Sequence, residues 1–148
     1  MSFVSDIVRE TFWSSSPEHG PVIDSTMSTM ANVLYGVQIE IMLTDTSATN
    51  EYATIYLNDE NFGDCNPRGN QCGCTYETCS SLINTKIQPD STSIKIRIEF
   101  SSWVNTHTCQ CPVENGEMAT GAVRITLTPD PGEISVYVIC IYVYLIFP

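Results

Sequence analysis

The chain has 148 residues, 43% of them hydrophobic, which is enough for a packed core in a domain of ordinary size and excludes a disordered chain. Six Lys and Arg stand against 17 Asp and Glu, for a net charge of −11. Such a surface repels phosphate and argues against nucleic acid as a partner, while keeping a β-rich chain soluble and making its associations sensitive to salt.

The start, Met1-Ser-Phe-Val-Ser-Asp-Ile7, has neither a basic first segment nor a continuous apolar core, so it does not read as a secretory signal. Phe3, Val4, Ile7, Val8, Phe12 and Trp13 recur at a spacing that suits one face of a short helix of about three turns. The same residues would serve an arm that docks on a neighbouring copy, which makes Phe3, Ile7, Phe12 and Trp13 candidates for a subunit interface. Ser14-Ser-Ser-Pro-Glu-His-Gly-Pro21 interrupts any regular structure, and the stretch to Ala31 is polar and extended. The expected organisation is therefore an arm or short helix plus linker over 1–31, followed by a β-sandwich domain over 32–148.

Alternating runs follow. Between Val33 and Thr44, Val37, Ile39, Ile41 and Leu43 share one face, with Gln38, Glu40 and Thr44 on the other. Tyr52–Leu57 is a second strand, ended by Asn58-Asp-Glu-Asn. Ser93–Phe100 turns Ile94, Ile96, Ile98 and Phe100 inward and Lys95, Arg97 and Glu99 outward, with no charge cluster expected of Lys95 and Arg97. Ala122–Thr128 alternates Val123, Ile125 and Leu127 against Arg124, Thr126 and Thr128. Pro129-Asp-Pro-Gly132 then reads as a tight turn, which would make 122–128 and 133–147 antiparallel neighbours. Further strands are expected within 22–31 and 72–88.

From Ile134 to Phe147 the chain carries no charge, Gly or Pro, and both faces of the resulting strand are apolar. At about 3.3 Å per residue the run reaches roughly 45 Å, longer than a small sandwich covers on both faces. It is also shorter than the ~20 residues of a membrane-crossing helix and lacks flanking Lys or Arg, so no membrane span is expected. Tyr137, Ile139, Ile141, Tyr142, Tyr144 and Phe147 join the interface candidates.

Seven cysteines are present, six of them in two polar segments: Cys65, Cys72, Cys74 and Cys79 in loop 65–79, and Cys109 and Cys111 in loop 109–111. In an oxidising compartment these six are disulfide candidates; in a reducing one they would be metal ligands. His107 beside Cys109 and Cys111, with Cys72 and Cys74, supplies zinc-type ligands, but the close pairs are Cys-x-Cys rather than the Cys-x2–4-Cys that wraps one ion, so no metal is expected. Asn58-Asp-Glu-Asn-Phe-Gly-Asp64 offers oxygen ligands without the spaced acids of a calcium loop and reads as an acidic hairpin end. Neither a nucleophile elbow nor a phosphate loop occurs, and His19 and His107 are the only histidines, so no catalytic residue and no cofactor is expected.

These readings give an all-β, antiparallel β-sandwich or jelly-roll-like fold. The function they point to is a self-assembling structural subunit, an extracellular filament or a virion capsid or decoration protein, whose partners are other copies of itself. The alternative is a disulfide-stapled, secreted or cell-surface binding domain that recognises a host-surface protein or glycan.

Overall fold

A computed structural model describes residues 6–13, 22–43, 50–66, 73–79, 85–87, 92–102, 104, 110–113 and 116–130. They are all-β. In chain order the strands are β1 (Ile7–Trp13), β2 (Val22–Ser28), β3 (Tyr35–Leu43), β4 (Ala53–Leu57), β5 (Glu60–Cys65), β6 (Glu77–Thr78), β7 (Thr85–Ile87), β8 (Ser93–Phe100), β9 (Cys111–Pro112), β10 (Met118–Ala119) and β11 (Gly121–Pro129).

Two antiparallel sheets face each other. In the first, β1, β11 and β3 are neighbours, and β6 and β7 both pair along the far side of β3. In the second the order is β2-β8-β4-β5, and β9 and β10 form a separate small hairpin. Period-two alternation drives this layout. Ile94, Ile96 and Ile98 of β8 and Ile39 and Ile41 of β3 meet Val123, Ile125 and Leu127 of β11 in one core. Each is at most 1% exposed, and burial of such a side chain is worth about 1.5–3 kcal/mol.

Tyr35 is wholly buried, and its hydroxyl accepts the Met30 N–H at 3.0 Å, closing the turn between β2 and β3. Asn58 and Asp59 both take positive φ, 49° and 65°, so β4 and β5 are joined by a two-residue loop in which Leu57 pairs with Glu60. That is the turn handedness that matches the twist of a hairpin, and Asn and Asp tolerate it.

The two sheets are tied together at both edges. At one edge Cys65, which ends β5, is bonded to Cys79, whose N–H donates to Ile39 O of β3 at 3.0 Å. At the other, Arg9 of β1 donates through Nη1 to Ser25 Oγ and Thr26 O of β2, both at 3.0 Å.

Two expectations are corrected here. Residues 7–13 are not helical: they form edge strand β1, paired with β11 from Ile7↔Leu127 to Trp13↔Gly121. The β-branched and aromatic content of Ile-Val-Arg-Glu-Thr-Phe-Trp suits a strand, and the open side of β11 supplies the backbone partners that decide it. Nor is β11 half of a hairpin with the following segment along 121–127. β1 occupies one of its edges and β3 the other, so neither is left for a further neighbour there.

Candidate binding face

The expected site residues divide as follows. Cys65 is joined to Cys79, and Cys74 to Cys111. Cys72, Cys109, His19 and His107 lie outside the described residues, as do Phe3, Tyr137, Ile139, Ile141, Tyr142, Tyr144 and Phe147. Ile7 packs against the main core and Phe12 against a smaller cluster, so both are used within the chain, beside Trp13 in the same strand. Among the described residues no group of three or more His, Cys, Asp or Glu is placed to hold a metal ion. The oxygens of 58–64 are engaged locally: Asn58 Oδ1 accepts the Lys95 N–H, Asn61 Oδ1 accepts the Gly63 N–H, Asp59 pairs with Lys95 at 2.7 Å, and Asp64 accepts the Thr54 hydroxyl at 2.6 Å.

Outer-face residues follow from strand alternation and register. On the first sheet they are largely committed to one another. The β9–β10 hairpin, held by the Cys74–Cys111 bond, brings Cys111, Val113 and Ala119 over Met42 and Ala122, with Phe12 and Tyr76 at the margin. Beyond it, Arg124 of β11 lies between Glu10 of β1 and Glu40 of β3, at 3.3 and 3.7 Å. The Arg124 guanidinium is 4.1 Å from the Tyr76 ring centroid, and the Tyr76 hydroxyl donates to Glu10. At the far end a shallow groove runs past Gly36, Gln38, Thr128 and Pro129, bounded by the ion pair of Lys86 with Asp130.

The second sheet presents a different outer face. Three rows cross it: Val22, Glu99, Thr54 and Asp64; Asp24, Arg97, Tyr56 and Asn61; and Thr26 beside Lys95. Asp24, Thr26, Lys95, Asn61 and Asp64 are exposed, and Arg97, Glu99, Thr54 and Tyr56 are half-buried. Arg97 pairs with Glu99 on its own strand through Nη2 at 2.5 Å, rather than with Asp24 across the ladder. The Asp24 carboxylate and the Tyr56 hydroxyl consequently flank Arg97 without a partner among the described residues.

No protein-family model matches the sequence, and no curated protein is similar to it. Among solved structures it is similar to one described as a family 35 carbohydrate binding module from an environmental isolate. The two are 20% identical over 76% of this chain and 72% of that one, with a TM-score of 0.47. A likeness of that size does not extend to ligand or activity.

Sequence alternation identified Arg97 and Lys95 as outward, and both are. It did not bring Asp24 into the same row, because the strand expected within 22–31 was given neither faces nor a register. Ile23, Ser25 and Met27 are buried against exposed Val22, Asp24, Thr26 and Ser28. That alternation was present in the sequence, masked by a serine at an inward position.

Proposed function

We propose that this protein is a disulfide-stapled extracellular binding domain that recognises a surface partner, protein or glycan, through the outer face of the β2-β8-β4-β5 sheet. The observation that supports this reading over a filament or capsid subunit is that the sandwich is tied at both edges by its own residues: Cys65 to Cys79 on one side, Arg9 to Ser25 and Thr26 on the other. A core closed in this way needs no neighbouring copy to complete it. Disulfides form and persist in oxidising compartments, which supports an extracellular setting. On the outer face of the first sheet Arg124, Glu10, Glu40 and Tyr76 are engaged with one another, whereas among the described residues Asp24 and Tyr56 on this face have no partner, and a free carboxylate and phenol beside a guanidinium are what a recognition surface offers.

One observation favours the self-assembling subunit as a second reading. The apolar run of 134–147 begins beyond the four residues 130–133 that follow β11, and β11 has no free edge along 121–127 to receive it.

The test is binding of the oxidised, fluorescently labelled chain to intact cells and to a glycan array. Arg97→Glu should abolish binding, and Thr126→Glu, on the outer face of the other sheet, should leave it intact. Loss with Thr126→Glu alone, or no binding to any surface, contradicts the reading.

A further inference from the structure

Resting on the binding reading above, we infer that the row Asp24–Arg97–Tyr56–Asn61 takes a neutral, hydroxyl-rich ligand, a glycan without carboxylate or sulfate groups. The four residues stand directly opposite one another on β2, β8, β4 and β5. Neighbouring strands are about 4.8 Å apart, so Asp24 and Tyr56 are separated by roughly 10 Å, the span of a disaccharide unit.

Their chemistry is that of polyol recognition. A free carboxylate accepts from two hydroxyls, and a guanidinium donates to two oxygens. Pairing of Arg97 with Glu99 through Nη2 fixes the guanidinium and leaves further N–H groups on it for a ligand oxygen. Tyr56 adds an aromatic body with a polar tip, and Asn61 an amide. A sugar ring has a C–H face and hydroxyl edges, and needs that mixture of donor, acceptor and apolar surface.

Charge selects among ligands. The row is neutral in sum, one carboxylate against one guanidinium, which gives no net attraction for either a polyanion or a polycation. Around it Glu99, Asp64, Asp59 and Glu60 outnumber Lys95, and the whole chain carries −11. Uronates and sulfated sugars are therefore repelled. A basic protein segment would be drawn to the acidic surroundings but would meet Arg97 at the centre of the row.

The experiment is an amide chemical-shift titration of the full, oxidised chain, with the spectrum itself reporting the fold of every variant. The probes are neutral mono- and disaccharides, glucuronate, a sulfated monosaccharide and an oligolysine peptide. Saturable shifts centred on Asp24, Tyr56 and Arg97 are expected with at least one neutral disaccharide. Tyr56→Ala should weaken it by about tenfold, equivalent to roughly 1.4 kcal/mol, and Asp24→Asn should weaken it less.

Shifts from glucuronate or the sulfated sugar at lower concentration than from neutral sugars overturn the inference. So do oligolysine shifts on the row in the absence of any saccharide shifts. If no saccharide moves the row while cell binding still depends on Arg97, the binding face stands and the glycan class falls. If cell binding does not depend on Arg97, the face itself is wrong.

Discussion

Cys65 is bonded to Cys79, and through it the outermost strand of one sheet is fixed to the flank of β3 in the other. The two cysteines are only 14 positions apart in sequence, yet the bond links one sheet to the other. Both sulfurs sit in the main core among Ala53, Ile39 and Ile41 rather than at the surface. The bond is thus part of the packing that aligns the sheets, and with them the Asp24–Arg97–Tyr56 row.

Replacing both Cys65 and Cys79 by Ala should destabilise the fold by about 3 kcal/mol, the chain-entropy value for a loop of this size, plus the cost of the core volume removed. The Cys74–Cys111 bond closes a longer loop, 37 residues in separation, worth about 4 kcal/mol on the same relation. Urea unfolding with and without reductant checks both. An unchanged midpoint after full reduction would show that the bonds do not hold the sheets.

The opposite edge depends on Arg9. Arg9→Ala removes two hydrogen bonds to β2, one of them to the buried Ser25, and should cost about 1–2 kcal/mol. Lys95→Ala removes an ion pair with Asp59 between exposed side chains and should cost less than about 1 kcal/mol. The contrast is measured by urea midpoints under one buffer condition.

Arg124 is the partner on which Glu10 depends, since the Glu10 side chain is only 10% exposed. Arg124→Met should cost about 2–3 kcal/mol, below the 3–5 of a wholly buried pair because water still reaches the site. Tyr76→Phe, which removes only the hydroxyl donor to Glu10, should cost about 1 kcal/mol. A double-mutant cycle between the two positions should show coupling, because both act on one carboxylate.

Gly63 has φ +114°, and a Cβ built there meets nothing within 4 Å. Gly63→Ala should therefore cost about 1–2 kcal/mol through the backbone alone, at the irregularity where β5 shifts register against Ile55 and Tyr56. A neutral substitution would mean that β5 relaxes at this position without cost.

Much of this fold is legible in the chain, and the exceptions share a cause. β3, β4, β8 and β11 alternate cleanly because each has one face on a common core. β1 reads as a helix because an edge strand is half-supported: Ile7 points to the main core, while Phe12 serves a second cluster on the opposite side. Its apolar residues therefore follow no single period, and the deciding partner, β11, lies more than 100 residues away in sequence. The neighbours of β11 are not legible, because its pairing with β1 and β3 is decided by a competition among distant segments. The Asp24–Arg97–Tyr56 row was hidden for the same reason, as register across four strands is not written in any one of them.

Sedimentation velocity of the oxidised full chain across a hundredfold concentration range tests the central claim, that this is a self-contained binding domain. The expected result is one monomeric species at every concentration, unchanged by Tyr144→Asp in the apolar segment beyond the described residues. A concentration-dependent oligomer that Tyr144→Asp dissolves while leaving the melting temperature intact would contradict it, and would make the protein an assembling subunit instead.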